Sequence, residues 1–408
     1  MARGDRISVG TVLIVQLLFC TAFIAAWNAL PAFEHRRIVA QIQRSRPGVD
    51  VVFTNLAPTH VSPLYDDSKV ATDNQLRAVL SKVLPRFSRE RLKPNFVEHA
   101  VRVWGSRVEF TDPDLISGPQ LTDYLLNSGQ YVASWGTGSS PILETADNGV
   151  HVRWGKDSST SVHHDHLLAS LAEAGVRLDR SVFTAARQTT MRAVLAESLR
   201  DFRLDERETE WSTLAFALYL APQHTSTWRN AQGRRIEFDM LADRLMRCHR
   251  NQGVCLGTHR VYTLMTLLRL NDEYGGDLLR DDTITAAKQF LQDTRDLLVA
   301  SQSEDGSWPP NWYSGATAGN NRDPSEKPHD RVIATGHHLE WLAIAPVELQ
   351  PPHECIVRAA AWLITNIQKT PQDTIDAQYT FYSHAANALA MWRHTTAAEF
   401  WSDLPTLP

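Results

Sequence analysis

Histidines recur in one local setting at three places in the second half of the chain. Each follows a small or hydroxyl-bearing residue at the expected start of a helix, in Gly257-Thr258-His259, Thr335-Gly336-His337-His338 and Tyr382-Ser383-His384. Small and hydroxyl residues are suited to capping or turning the chain at a helix start. An imidazole in the first turn can move a proton, form a hydrogen bond or bind a metal ion. These histidines are therefore candidates for a functional site.

Carboxylate, phenol and amide groups accompany the histidines. Glu340 stands two residues after His338, Tyr382 two residues before His384, and Asn387 three residues after His384. A carboxylate within an apolar helix needs a partner or a wet cavity, so we expect Glu340 to face a cavity or an arginine. Carboxylates and Tyr/His pairs can cleave polysaccharides by acid and base catalysis. The candidate catalytic residues are His259, His338, Glu340, Tyr382 and His384.

Helices must position these groups, and the sequence predicts an all-α fold. The apolar period begins near Asn74, where Thr72 and Gln75 are placed to form a capping box. The two long helices Thr283 to Ser301 and His353 to Gln368 each have one polar side, which suits an outer position. The other predicted helices are Phe96 to Trp104, Gln120 to Asn127, Asp165 to Glu173, Ala185 to Arg200, Glu208 to Leu220, Glu237 to Arg247, Gly336 to Ala345 and Thr380 to Trp392.

Gly336 to Ala345 and Thr380 to Trp392 are nearly apolar all round, which suits enclosed helices. Alternation of enclosed helices with half-exposed helices predicts an α/α toroid of helical hairpins. An α-solenoid and an irregular helical bundle are the alternatives. The long connection Pro309 to Asp330 is either a lid over a cavity mouth or a disordered excursion.

A glutamine and a tryptophan at the end of one amphipathic helix carry a family resemblance. In the segment RDLLVASQSEDGSW, residues 295–308, Gln302 follows the apolar face and Asp305-Gly306 turns the chain into Trp308. This segment resembles the QW motif of the terpenoid-cyclase and prenyltransferase superfamily. A weaker copy, RAAAWLITNIQ at residues 358–368, lies about 65 residues further on and lacks the closing Gly-x-Trp, and this spacing indicates a repeated helical hairpin.

The resemblance implies a toroid in which the N-terminal ends of the inner helices surround a central cavity. His259, His384 and one of His337 and His338 would then meet there. The chain has no DxDD acid and no DDxxD diphosphate motif, so the resemblance does not extend to squalene-type cyclases or ionising terpene synthases. Trp308, Trp312 and Trp341 are candidates for stacking on sugar rings or for core packing.

A cysteine near the first histidine raises the possibility of a metal site. Cys255 stands one turn before His259, and imidazole together with thiolate favours Zn²⁺. The candidate metal ligands are Cys255, His259, His338 and His384. The alternative is a polar cavity without a metal. In an oxidising compartment Cys248 and Cys255 are close enough in sequence to form a disulfide, and two separate thiols are the other interpretation.

The N-terminal segment predicts a membrane location. Ile7 to Trp27 carries no charge and is long enough to cross a bilayer as one helix, and Arg3 and Arg6 before it favour a cytoplasmic N-terminus. The bulk of the chain would then be extracytoplasmic; a cleaved signal peptide is the alternative. The net charge of −5 with no basic stripe argues against nucleic acid as a partner.

These observations divide the chain into four predicted segments. Residues 1–28 form a transmembrane anchor, 29–74 a linker, 75–160 a helical segment with an irregular insertion or hairpin near Gln130 to Trp154, and 161–401 a toroid domain. We expect a His-lined central cavity that binds, and in one version also processes, a carbohydrate or another cavity-sized ligand. A catalytically inactive binding or scaffold protein at the membrane is the alternative.

Overall fold

The chain folds predominantly into helices, as its sequence predicts. The computed structural model describes residues 9–31, 34, 35, 38, 51–250, 252–319 and 326–402. In chain order the helices are α1 (Val9–Ala29), α2 (Asp73–Lys82), α3 (Pro94–Trp104), α4 (Gly118–Leu126), α5 (Ser128–Trp135), α6 (His166–Glu173), α7 (Met191–Asp201), α8 (Glu210–Leu220), α9 (Phe238–Arg247), α10 (Thr258–Glu273), α11 (Asp281–Ser301), α12 (Pro328–Ile344), α13 (His353–Lys369), α14 (Gln372–Ala377), α15 (Tyr379–Met391) and α16 (Ala397–Ser402).

Short strands form three antiparallel hairpins between the helices. They are β1 (Leu143–Thr145) with β2 (Val150–Val152), β3 (Ser181–Phe183) with β4 (Gln188–Thr190), and β5 (Thr227–Arg229) with β6 (Arg235–Glu237). The first hairpin lies in the segment for which the sequence predicts an irregular insertion or hairpin. The helix predicted from Ala185 is wrong at its start, because β4 occupies residues 188–190 and α7 begins only at Met191. Thr189 and Thr190 are β-branched and suit a strand.

Six helices contact one another in a closed cycle. Following the chain, α3 contacts α6, α6 contacts α8, α8 contacts α10, α10 contacts α12, α12 contacts α15, and α15 returns to α3. These helices are buried on nearly all sides; every residue of α8, for example, is buried. A helix enclosed by others needs an apolar surface all round, which explains the weak amphipathicity of α8, α10, α12 and α15.

A second helix precedes each member of the cycle and packs outside it. These outer helices are α2, α4, α7, α9, α11 and α13, and they bury one face only. In α2 the buried residues are Leu76, Val79 and Leu80, and the predicted capping box of Thr72 and Gln75 is present. The hydrophobic core therefore runs between the outer helices and the cycle.

Helices on the two sides of the predicted division at residue 160 contact one another. Helix α3 belongs to the segment before this boundary, yet it lies between α6 and α15 in the cycle. The predicted linker is also attached to the fold over its described part. The backbone amides of Thr59, Leu64 and Asp67 donate to carbonyls of Leu218, Ala343 and Trp392, respectively. These bonds tie the segment to the C-terminal ends of α8, α12 and α15.

Gln302 and Trp308 fasten the C-terminal end of α11. Gln302 Nε2 donates to the carbonyls of Gly306 at 2.9 Å and Cys355 at 2.7 Å, and the buried indole of Trp308 donates to the carbonyl of Leu298 at 3.0 Å. Gly306 has a φ of +95°, and a Cβ there would lie 2.5 Å from the carbonyl oxygen of Arg358. Only glycine fits this turn.

Helix α1 is long and apolar enough to cross a membrane. Its span Gly10–Ala29 covers 20 residues with a mean hydropathy of 2.0, and none of it is buried against the rest of the protein. A signal sequence near the N-terminus passes the same test of length and composition. The predicted anchor coincides with this helix, while Ile7 and the arginines Arg3 and Arg6 lie outside the described residues.

Candidate functional site

One aromatic ring from each helix of the cycle faces the centre of the molecule. Neighbouring ring centroids lie 4.0–5.0 Å apart around a closed circuit. All six side chains are buried. We call this set the imidazole layer; its members are His99, His166, Trp211, His259, His337 and His384.

A second set of polar side chains lies next to the imidazole layer, towards the C-terminal ends of the same helices. The pairs His99/Arg102, His259/Tyr262, His337/Glu340 and His384/Asn387 are each three residues apart, and Glu173 is seven residues after His166. Residues with these spacings share one face of a helix. We call this set the charged layer; its members are Arg102, Glu173, Tyr262, Glu340 and Asn387.

Arg102 joins the charged layer into one network. Its guanidinium donates to Glu173 through Nε at 2.6 Å and Nη2 at 3.2 Å, and Nη1 lies 2.7 Å from Glu340 Oε1. Tyr262 donates to Glu173 at 2.8 Å and Asn387 donates to Glu340 at 2.9 Å. Burial disfavours the charge of Arg102, but Glu173 and Glu340 together outweigh burial and hold the pKa of Arg102 well above its usual value. The arginine is therefore a fixed buried cation.

Arg102 and Glu340 both contact Nδ1 of His384. Arg102 Nη1 lies 2.7 Å from this nitrogen, and a guanidinium can only donate. Glu340 Oε2 lies 3.0 Å from the same nitrogen, and a carboxylate can only accept, so Nδ1 stands between a donor and an acceptor. The other ring nitrogen is Nε2. This Nε2 is buried and has no hydrogen-bond partner. His384 thus presents an unused polar atom to the imidazole layer.

Burial keeps the histidines of the imidazole layer neutral. Desolvation lowers the pKa of His337 to about 4. Desolvation, followed by the neighbouring His337, lowers the pKa of His259 and His384 well below the usual value, and desolvation with His166 does the same for His99. A neutral imidazole retains a lone pair on one nitrogen, which is the form that binds metal ions.

A cavity of about 520 Å³ borders the charged layer. Arg102, Glu173, Tyr262 and Asn387 line it, together with Thr266. It reaches the C-terminal ends of α3, α6 and α15 and is bordered by residues 59–63. The resemblance implied a cavity at the N-terminal ends of the inner helices. Here the buried histidines lie at the N-terminal ends of α6 and α10 and near the middle of α3, α12 and α15, and the cavity lies on their C-terminal side.

The histidine of α12 that faces the centre is His337, not the predicted His338. Consecutive residues on a helix point about 100° apart, so only one of the two can enter the layer. His338 instead accepts from the indole of Trp341 at 3.0 Å and packs 4.6 Å from the ring of Trp312. Both Trp312 and Trp341 are fully buried, so the structure assigns them to packing rather than to an open sugar-binding surface.

Helical phase also separates Tyr382 from His384. Two residues along a helix correspond to a turn of about 200°, so Tyr382 points away when His384 points inward. Tyr382 is buried in the core cluster. The tyrosine of the charged layer is Tyr262, which the sequence did not single out. The expected arginine partner of Glu340 is present as Arg102.

Two overlapping groups of side chains are close enough to hold a metal ion. Ligand atoms of Cys255, His259 and His337 lie within 4.8 Å of one another, and so do those of His337, Glu340 and His384. The structure therefore brings together Cys255, His259 and His384 of the predicted ligand set around His337. Cys248 and Cys255 are both free thiols, and Arg244 Nη1 contacts the sulfur of Cys248.

Sequence reasoning missed His99, Arg102 and His166. His166 follows Asp165 at the start of α6, so it shows the same cap and histidine pattern as the three recognised sites. His99 and Arg102 lie within the otherwise apolar face of α3, where buried polar residues at a spacing of three were the available signal.

The long connection after Trp308, which the sequence predicted as a lid or a disordered excursion, packs through Trp312. The indole of Trp312 donates to the Leu256 carbonyl at 3.3 Å. Residues 320–325 of this connection lie outside the described residues.

Comparisons with known proteins identify no relative of this chain. No protein-family model, no curated protein and no solved structure matches the chain.

Proposed function

We propose that the helices form an α/α toroid similar in plan to the terpenoid-cyclase and prenyltransferase superfamily. The closed cycle of six helices, each preceded by an outer helix, supports this architecture. The bonds of Gln302 and Trp308 at the end of α11 agree with the roles that the QW resemblance implies. In this arrangement six hairpins converge on one axis, which is why residues distant in sequence share one centre.

The function that the geometry supports best is binding of a neutral, polyhydroxylated ligand of the carbohydrate class. The observation that carries this proposal is the cavity bordered by the charged layer. Its volume of about 520 Å³ falls within the usual range for small-molecule sites. A protein that needed only packing at this position would favour apolar side chains, because buried ion pairs are seldom more stabilising than apolar replacements.

The lining argues for a ligand that is polar but uncharged. Two arginines, Arg102 and Arg107, and two glutamates, Glu173 and Glu399, line the cavity and balance in charge. The hydroxyl of Thr266 is buried and has no partner. A sugar hydroxyl would satisfy it and would also pair with the Tyr262 oxygen.

Binding is better supported than catalysis. Glu340 and His384, from the predicted catalytic set, have side chains that are 1% exposed, and they lie behind Arg102 rather than in the cavity wall. They would act as positioning residues for the charged layer. This arrangement also favours the second candidate, a scaffold whose centre is structural. The site is proposed to work outside the cytoplasm, with α1 as a membrane anchor.

A matched pair of tyrosine variants tests ligand binding. Tyr262→Phe removes a hydroxyl from the cavity wall, and Tyr219→Phe removes a buried hydroxyl that donates to the Val176 carbonyl at 2.7 Å outside the cavity. Tyr219→Phe should lower stability by about 1 kcal/mol, and Tyr262→Phe by about 1.5–3 kcal/mol, because the hydrogen bond of Tyr262 is to a charged carboxylate. We expect a panel of neutral oligosaccharides to include one that raises the melting temperature of the wild type and of Tyr219→Phe, but not of Tyr262→Phe.

The scaffold candidate gains support if no neutral oligosaccharide changes the melting temperature at concentrations up to millimolar. A ligand that stabilises all three proteins equally would place binding elsewhere. Analysis of the bound sugar after long incubation would separate binding from cleavage, because cleavage releases new reducing ends.

A further inference from the structure

One buried polar contact in the imidazole layer joins two histidine nitrogens. His337 Nε2 and His259 Nε2 lie 3.0 Å apart, and both side chains are about 1% exposed. His337 Nδ1 lies 2.7 Å from the carbonyl of Ile333, which can only accept. The proton of His337 is therefore on Nδ1, and its lone pair on Nε2 points at His259. A hydrogen bond from the Nδ1 side is the usual way in which proteins orient a metal-binding histidine.

Cys255 completes this pair of nitrogens. Its sulfur lies within 4.8 Å of the ligand atoms of both histidines. Cys255, Leu256 and Gly257 have φ values of 48°, 63° and 80°, so three successive left-handed residues form the turn before α10. Gly257 is required there, because a Cβ would lie 1.9 Å from the carbonyl oxygen of Arg250. This turn holds the thiol one helical turn before His259.

Electrostatics distinguishes the two groups that could hold a cation. In the group of His337, Glu340 and His384, Arg102 Nη1 lies 2.7 Å from Glu340 and 2.7 Å from His384. The positively charged guanidinium of Arg102 therefore already contacts both Glu340 and His384, and it would repel a metal ion bound by them. The group of Cys255, His259 and His337 has no such contact among the described residues.

We propose that Cys255, His259 and His337 bind a Zn²⁺ ion at the centre of the helix cycle. One sulfur and two imidazole nitrogens form a donor set typical of zinc. On binding, the thiol of Cys255 releases its proton to solvent and coordinates as thiolate, and the neutral ring of His259 takes the tautomer with its proton on Nδ1, so that Nε2 can coordinate. Three protein ligands leave one tetrahedral position open, and the unpartnered Nε2 of His384 lies on a ring 4.0 Å from that of His337. The zinc site does not depend on a sugar occupying the cavity.

Metal analysis of the full chain, purified with its anchor in detergent under reducing conditions, tests the proposal. We expect one zinc ion per chain after loading with ZnCl₂ and removal of free metal. Cys255→Ser should lose the zinc, and Cys355→Ser should keep it, because Cys355 is a buried free thiol away from the group. His338→Gln is the matched histidine control, since it neighbours His337 but faces the tryptophans.

Cobalt loading gives a readout that does not depend on the stability of the variants. Co²⁺ bound in the wild type should show a thiolate-to-metal charge-transfer band, because Cys255 is a ligand. Absence of this band, or less than stoichiometric zinc in a folded wild type, would overturn the site. If folded Cys255→Ser keeps its zinc while folded Glu340→Gln loses it, the metal belongs to the other group and the assignment is wrong.

Discussion

Arg102 is the residue on which the charged layer depends. It is buried between Glu173 and Glu340, with 2% of its side chain exposed. Removing one partner of a buried ion pair leaves the other charges without compensation. The stability of the centre should therefore be far more sensitive to Arg102 than to arginines in surface pairs.

We expect Arg102→Met to lower the free energy of unfolding by about 3–5 kcal/mol. The control is Arg86→Met, which removes an exposed ion pair with Asp112 at 3.2 Å. It should change the free energy of unfolding by less than about 1 kcal/mol. Urea unfolding followed by circular dichroism measures both. Equal effects of the two substitutions would show that the buried network contributes no more to the free energy of unfolding than an exposed ion pair does.

Neutral buried histidines make the fold sensitive to acid. The pKa of His337 in the folded state is about 4, below the ordinary value of 6.5, and the pKa values of His99, His259 and His384 are also lowered. As the pH falls below 6.5 the unfolded chain therefore binds protons first. Stability is fully present above this pH and is lost as the pH falls, for His337 until about pH 4.

Each such histidine should remove about 1.4 kcal/mol per pH unit below its unfolded pKa in the metal-free protein. Glu98 and Glu197 act in the opposite direction, because burial raises the pKa of both, to about 8 for Glu98, but the buried histidines outnumber them. We expect the urea midpoint to fall steeply between pH 7 and pH 5, and less steeply in His384→Gln. A midpoint that is constant or rises on acidification would refute the neutral imidazole layer.

The sequence predicted part of this site for a definite reason. His259 and His384 follow recognisable helix starts, so their inward direction could be inferred. The start of α12 could not be predicted, because the helix begins at Pro328, eight residues before the predicted start at Gly336. Without the true start, the sequence could not show which of His337 and His338 points inward. The pairing of Arg102 with Glu340 joins residues 238 apart in sequence, and a single sequence does not record such contacts.

Among the elements, the end of α11 shows how packing fixes a helix. Trp308 is fully buried and bonds back to Leu298, while Gln302 bonds forward to the start of α13. The periodicity of α2, α11 and α13 predicted these helices well, because one buried face leaves a clear pattern. Helix α7 was predicted too long, since strand β4 and the start of the helix have similar local composition.

Trp308→Ala should lower the free energy of unfolding by roughly 3–5 kcal/mol, the usual effect of emptying a buried aromatic site. Trp362→Ala on α13 is the control, because this tryptophan is only partly buried and should cost less. Thermal unfolding of both variants measures the difference. A Trp308→Ala protein with the wild-type melting temperature would contradict the packing role.

At the scale of the whole molecule, the fold gathers its polar groups on one axis and carries one apolar helix at the N-terminal end. The axis follows from the closed cycle, in which six helices each contribute residues of one face. None of the apolar span of helix α1 is buried in the described protein, so its exposed apolar side chains fit the environment of a bilayer.

A reporter that is active only outside the cytoplasm should give signal when fused after Pro408. Deleting residues 7–27 should abolish that signal, because in the proposed topology the apolar helix brings the chain to the membrane for export. Retention of an N-terminal tag on the mature protein would identify an anchor, and its loss would identify a cleaved signal. Signal from a cytoplasmic reporter in the intact protein would reverse the predicted topology.

The cavity beside the charged layer is proposed to be a ligand-binding site. Ser106 is partly buried in its wall, so Ser106→Trp should fill the space, and Ser81→Trp on the exposed side of α2 is the matched control. The measurement is calorimetric titration of a neutral oligosaccharide into both folded variants. We expect binding by Ser81→Trp and at least a tenfold loss, about 1.4 kcal/mol, in Ser106→Trp. Equal affinity in the two proteins, or none in either, would contradict a ligand site in this cavity.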